Sequence, residues 1–298
     1  MSRLMSGLIS PLVVGCLFVM SGAIACAEEL VTAEPVRIII PQTSSRENIN
    51  HEDYYFSRLL QLALEKTESS HGPFQIVEAD QWLVDKRLRT ALIQGKVDVL
   101  WSPGSSEFEK QMLPVRVSLL KDLNNFRLLL IRKGDQPRFS AVHSLDDLRK
   151  LKGGMSAQWA DAGIMRENNL PLVEAVGYGK LFKMLAAGRF DYFSRGVYQI
   201  QPEVNLYPEL ELQIEQELIL HYRNEVYFFV DKDNSALAAR LEAGLKAALA
   251  DGSFDILFNS IPRYQWGVEL LKNHKRRVLN LNTASTTAAS INSSSAAE

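Results

Sequence analysis

Read for hydrophobic and polar periodicity, the chain first settles into a regular pattern at "VRIIIP", Val36 to Pro41, a β-branched run that proline stops before the polar loop "QTSSRENINH". Asn50 and Asp53 mark a helix start, and Tyr55, Leu59, Leu62 and Lys66 keep helical spacing to about Ser69. A second strand is expected at "FQIVEA" from Phe74. A helix follows over Leu83 to Gln94 with Gly95 as its cap, and then a third strand "VDVLW" from Val97 to Trp101. This β-α-β-α-β order predicts a parallel sheet covered by helices. The apolar strand "FRLLLIRKGD", Phe126 to Asp135, then ends in charge and the pattern restarts. Ser144 with Asp147 opens a helix by a capping box, "PLVEAV" reads as a strand, "YGKLFKMLAAG" as a helix and "RFDYF" as a strand. After the strand "EVYFFV" from Glu225, Leu237, Leu241, Leu245 and Leu249 recur every fourth residue in a helix that Asp251-Gly252 breaks. A further helix, interrupted around Pro262, runs from Ser253 to Leu271.

The two ends of the chain differ from this body. Residues 1–27 hold Arg3, the apolar run "LISPLVVGCLFVMSGAIA" and the triplet Ala25-Cys26-Ala27, the layout of a cleaved secretory signal. A retained membrane anchor is the alternative, against which stand Pro11, Gly7, Gly15, Ser21 and Gly22 within the run. Lipidation at Cys16 or Cys26 is a third reading. The Ser/Thr/Ala-rich tail, residues 282–298, has too few large apolar groups to offset the entropy of ordering it and is expected to be disordered.

Composition narrows the function without naming it. The 298 residues are 46% hydrophobic and 23% charged, with 33 Lys+Arg against 35 Asp+Glu, so the basic field that sequence-independent nucleic-acid binding relies on is missing. Both cysteines lie within the leader, which leaves the body without a disulfide framework or a multi-cysteine metal site. There is no G-x-S-x-G elbow, Walker loop or H-E-x-x-H, and His51, His71, His143, His221 and His274 are scattered without metal-ligand spacing. No catalytic residue, metal or cofactor is expected. What remains is a set of polar and aromatic residues just after strand ends, where open α/β sheets bind ligands: Ser102, Trp159, Arg195 and Tyr198, with Tyr54 as a further candidate. Trp101 and Trp159 also fit a core role, and Arg195 a structural pairing with an acid such as Asp191.

The segments "LRTALIQGKVDVLW", "SLDDLRKLKGG", "YGKLFKMLAAGRFDYF" and "YFFVDKDNSALAARLEAGLKAALADGSFDILF" resemble the bacterial extracellular solute-binding proteins of the polar-amino-acid type (family 3), the periplasmic subunits of ABC importers. The resemblance covers about residues 36–273. It implies an α/β, two-lobed periplasmic binding protein-like fold of type II, with lobe 1 over 36–125 plus 226–273, lobe 2 over 132–220, and two β-strand crossovers near Arg127–Arg132 and Leu218–Phe228. It also implies a monomer that captures a small solute in the interlobe cleft by hinge motion and serves a membrane permease. A sensor-associated or orphan binding domain is the second function implied, and an enzyme on the same fold the third.

Against the family pattern, the position of the ligand-clamping arginine falls on Lys110, and the acid expected beyond the second G-R-x-D motif is replaced by Ser194-Arg195-Gly196. Lysine is a poorer bidentate clamp than arginine, and Arg195 would repel an ammonium group. These departures point to a small polar, anionic or amino-acid-like solute held by Arg195 and Lys110. Were the ligand cationic, Asp53, Glu107 and Asp161 are the acids available to it.

Overall fold

The computed structural model describes residues 34–43, 51–83 and 85–283. The leader at 1–27 and the tail beyond Thr283 lie outside the described residues, so the expectations for them stand as they were. Twelve strands run through the described residues: β1 Val36–Ile40, β2 Phe74–Glu78, β3 Val99–Pro103, β4 Met112–Pro114, β5 Phe126–Arg132, β6 Gly153–Ser156, β7 Leu172–Ala175, β8 Tyr192–Gly196, β9 Leu212–Ile214, β10 Leu218–His221, β11 Val226–Asp231 and β12 Arg277–Asn280. They form three sheets. β1 and β2 pair in parallel, β11 lies antiparallel between β3 and β4, and seven strands form the order β12-β10-β5-β8-β6-β7 with β9 on β5.

The single parallel sheet expected from the first three strands is therefore split. β3 pairs with β11, and among the described residues its hydrogen bonding to β1 is limited to Asp98 N donating to Ile39 O at 2.7 Å and Ile39 N donating to Asp98 Oδ2 at 2.7 Å. A side-chain carboxylate takes the place of a peptide carbonyl, which satisfies the strand without extending the ladder. The expected helices are present. His51 caps the helix Glu52–Glu65 by accepting from Asp53 N, Ser144 Oγ accepts from Asp147 N at 3.2 Å, and the C-terminal stretch is two helices, Ser253–Asn259 and Pro262–Asn273, with Pro262 at the start of the second. Tyr55, Leu59, Leu60, Ala63 and Leu64 of the helix Glu52–Glu65 are fully buried, each of the leucines contributing about 1.5–3 kcal/mol of transfer free energy.

That helix lies against Ser235–Ala250 at a distance only glycine permits. A Cβ on Gly244 would stand 1.9 Å from the Ala63 carbonyl oxygen, and neither backbone can yield without moving its helix. Gly244→Ala is expected to lower stability by about 1–3 kcal/mol or more, read as a lower urea midpoint at unchanged slope. A midpoint equal to that of the natural protein would show that the two helices are free to part.

Between the sheets the chain crosses through residues 123–126 into β5, ahead of the stretch Arg127–Arg132 that the resemblance implied and that lies within the seven-stranded sheet, and through 221–226 out of β10, inside the implied Leu218–Phe228. It crosses again after the helix Pro262–Asn273, because β12 joins the seven-stranded sheet parallel to β10, Leu218 opposite Arg277. The first two crossings are tied together: Asn224 N donates to Asn125 Oδ1 at 2.8 Å, Tyr222 N to Asn125 O at 3.1 Å, and Asn124 Nδ2 to Asn224 O.

Candidate functional site

A cavity of about 360 Å³ opens beside these crossings, and both groups of sheets supply its walls. From one side come Glu52 and Phe56 in the first turns of their helix, Trp101 and Ser102 at the end of β3, and Phe108. From the other come Trp159 and Asp161 at the start of the helix Ala160–Glu167, Ser194 to Gly196 at the end of β8, Tyr178, and Tyr198, Gln199 and Glu203 on the helix Val197–Val204. Arg127 of β5 lines it at the crossing.

Three guanidinium groups line it: Arg89 lies over the Phe108 ring, 4.3 Å from its centre, and Arg127 and Arg195 are each met by a buried acid. Arg195 Nε donates to Glu203 Oε2 at 2.7 Å and Nη2 to Oε1 at 2.6 Å, a bidentate fork between side chains 8% and 9% exposed. The guanidinium also lies 4.7 Å from the centre of the Trp159 ring and 5.1 Å from that of Phe193, with those two rings stacked at 6.1 Å. Burial alone would lower the Arg195 pKa, but Glu203 raises it further, so the charge persists. Tyr178 is pushed up by burial and by the same carboxylate.

Arg127 stands deeper. Its Nε donates to Asp161 Oδ1 and to Tyr222 Oη, both at 3.0 Å, its Nη1 to Asn124 Oδ1 at 2.9 Å, and its Nη2 lies 3.0 Å from Asp161 Oδ1. Asp161 Oδ1 accepts further bonds from Tyr222 Oη at 2.6 Å and Asn224 Nδ2 at 3.2 Å. Burial would raise the Asp161 pKa, yet Arg127 and the Tyr222 hydroxyl hold the carboxyl below its ordinary range. Gly196 leaves room for this cluster, since a Cβ there would come within 2.9 Å of Arg127 Nη1 and 2.8 Å of Gln199 Oε1. No group of three or more His, Cys, Asp or Glu able to hold a metal occurs among the described residues.

No protein-family model matches the chain, and no curated protein matches it. Solved structures do. An ancestral arginine-binding protein bound to glutamine superposes with a TM-score of 0.58 at 16% identity, over 76% of this chain and 98% of that one. The amino acid ABC transporter substrate-binding protein AbpA of Streptococcus pneumoniae, bound to L-arginine, gives 0.56 at 13% over 78% and 96%. A histidine kinase sensor domain with similarity to periplasmic binding proteins gives 0.54 at 16% over 78% and 97%. The fold is that of the two-lobed periplasmic binding proteins.

Within that binding-protein fold, four of the six residues named from sequence line the cavity: Ser102, Trp159, Arg195 and Tyr198. Lys110 and Tyr54 are not part of its lining. Lys110 is exposed on the short helix Ser106–Gln111, and Tyr54 sits beneath the Arg58 guanidinium, 5.5 Å from it, on another face of its helix. Arg195 takes Glu203 as partner and not Asp191, which is held instead by Arg138 at 2.9 Å and Arg132 at 3.5 Å. Of the acids named as alternatives, Asp161 lines the cavity, whereas Asp53 and Glu107 do not. Sequence reading missed Glu52, Arg127, Tyr178 and Glu203.

Proposed function

We propose that the chain is an exported solute-binding protein that captures a small polar solute in this cavity and delivers it to a membrane permease of the ABC type. The observation that carries the reading is a cavity sized for a small solute, walled from both groups of sheets and placed beside the chain crossings, where hinge closure would enclose a ligand. The proposed lobes are 36–125 plus 226–273 and 132–220, the second extended by β12. Among the described residues no helix is long and apolar enough to cross a membrane. The protein is therefore proposed to reach the periplasm by cleavage of the leader after Ala27, lipid attachment at Cys16 or Cys26 being the variant of that route, and to act there as a monomer without catalysis. A receptor role, reporting the solute to a sensor kinase, is the second reading, favoured by the likeness to a sensor domain.

Native mass spectrometry of protein taken from the periplasm tests the proposal in one measurement. The expected result is a chain beginning at Glu28 that carries a small-molecule adduct. The released compound, added back at about 100 times its dissociation constant, should stabilise the protein by about 2.7 kcal/mol. A full-length chain without any adduct, unmoved in melting temperature by metabolite mixtures, contradicts it.

A further inference from the structure

We infer that the solute is recognised by a cationic amine or guanidinium end, and that Glu52 is its counter-ion; this rests on the solute-binding reading above. Three guanidinium groups line the cavity, and each is already engaged: Arg89 lies over the Phe108 ring, 4.3 Å from its centre, and the other two meet buried acids. All three nitrogens of Arg127 are bonded to Asp161, Tyr222 and Asn124, and Arg195 gives Nε and Nη2 to Glu203, keeping only Nη1. A carboxylate ligand would have to displace Glu203 from a nearly dry fork while facing Asp161 and Glu52 in the same cavity.

The acceptors are in the opposite condition. Glu52 forms no ion pair with any of the described residues, although Arg195, committed to Glu203, lies near enough to feel its charge. Its carboxylate takes only neutral donors at long range, Tyr198 Oη at 3.2 Å and Gln199 Nε2 at 3.2 and 3.3 Å. Asp161 Oδ2 carries no hydrogen bond among the described residues, all four donors converging on Oδ1. Ser194 Oγ, in a residue 2% exposed on the cavity wall, has no hydrogen-bond partner among the described residues. A carboxylate, a half-used second carboxylate and an orphaned hydroxyl form an acceptor-rich wall. The aromatic rings of Phe56, Trp101 and Tyr198 stand among them. Donor-rich cations with an apolar body suit such a surface, through charge-assisted hydrogen bonds and the ring quadrupoles.

Titration calorimetry with agmatine, putrescine and succinate, on the natural protein, Glu52→Gln and Glu52→Asp, decides it. Agmatine or putrescine is expected to bind, Glu52→Gln to weaken that binding about 10- to 100-fold, the range expected for loss of one charge-assisted bond, and Glu52→Asp to restore part of it. Melting temperatures of the three proteins should agree within a few degrees, since Glu52 opens its helix without being part of the core. Succinate binding in preference to the amines, or amine affinity unchanged in Glu52→Gln, overturns the inference while leaving the solute-binding reading intact. So does a native-mass adduct without a basic nitrogen. Absence of any adduct or shift with any solute removes the solute-binding reading itself, and this inference with it.

Discussion

Glu203→Ala is expected to lower the unfolding free energy by about 3–5 kcal/mol, the range for breaking a buried ion pair from one side. The loss comes from what is left behind. Arg195 would remain charged beneath Trp159 and Phe193, with the two donors that met Glu203 at 2.6 and 2.7 Å facing no acceptor. The pair itself is a weak source of stability, because removing both ions from water costs about as much as their attraction returns. A double variant, Arg195→Met with Glu203→Leu, should therefore recover most of what the single variant loses. Denaturant titration of the three proteins checks this. A Glu203→Ala loss under about 1 kcal/mol would mean that water reaches the guanidinium, and that Arg195 is open to a ligand after all.

Asp161→Ala should cost a similar amount, about 3–5 kcal/mol, since it strips Arg127, Tyr222 and Asn224 of one shared acceptor. Its pH dependence gives a second readout. The carboxyl is held below its ordinary range in the folded state, so its contribution is fully present above the unfolded pKa of about 3.9 and is lost as pH falls through the folded pKa. The stability gap between the natural protein and Asp161→Asn should stay level from pH 7 to about 4 and narrow below it. A gap that keeps its size well below pH 3 would show that the ionised carboxylate is not what holds the crossings together.

What could be read from sequence, and what could not, follows the range of the interactions concerned. The Ser144–Asp147 cap is local, and the residue pair announces it. The run Val36–Ile40 is apolar in one stretch and needs no partner to be read as a strand. β6 carries no strand signal of its own, because Gly153 and Gly154 lack strand propensity. Tertiary packing reverses that reading, since a Cβ on Gly154 would come within 2.2 Å of the Phe190 ring. The Arg195–Glu203 fork spans eight residues that turn from strand to helix, a geometry without a fixed period, so Glu203 gave no signal. Glu52 reads as an ordinary acidic first-turn residue favouring a helix N-terminus, and its approach to Tyr198 and Gln199 appears only when segments nearly 150 positions apart are brought together. Four residues are too few for β12 to stand out, and with it the third crossing went unread.

That last strand determines how the molecule carries mechanical load. β12 is zipped to β10, Leu281 N donates to His221 O at 2.9 Å, and the Asn168 side chain clasps Asn282 through two bonds of 2.8 Å, one to its carbonyl and one from its amide. Tension applied beyond Thr283, by a surface anchor or a fused domain, is thus taken up by the seven-stranded sheet. Along the chain it reaches β1 to β4 through the helix Pro262–Asn273 and the two linked crossings, and across the cavity through the bonds of Tyr198 and Gln199 to Glu52. In the hinge closure proposed above, a protein held by its C terminus would keep that sheet as the stationary jaw and leave the helix bearing Glu52 on the jaw that swings.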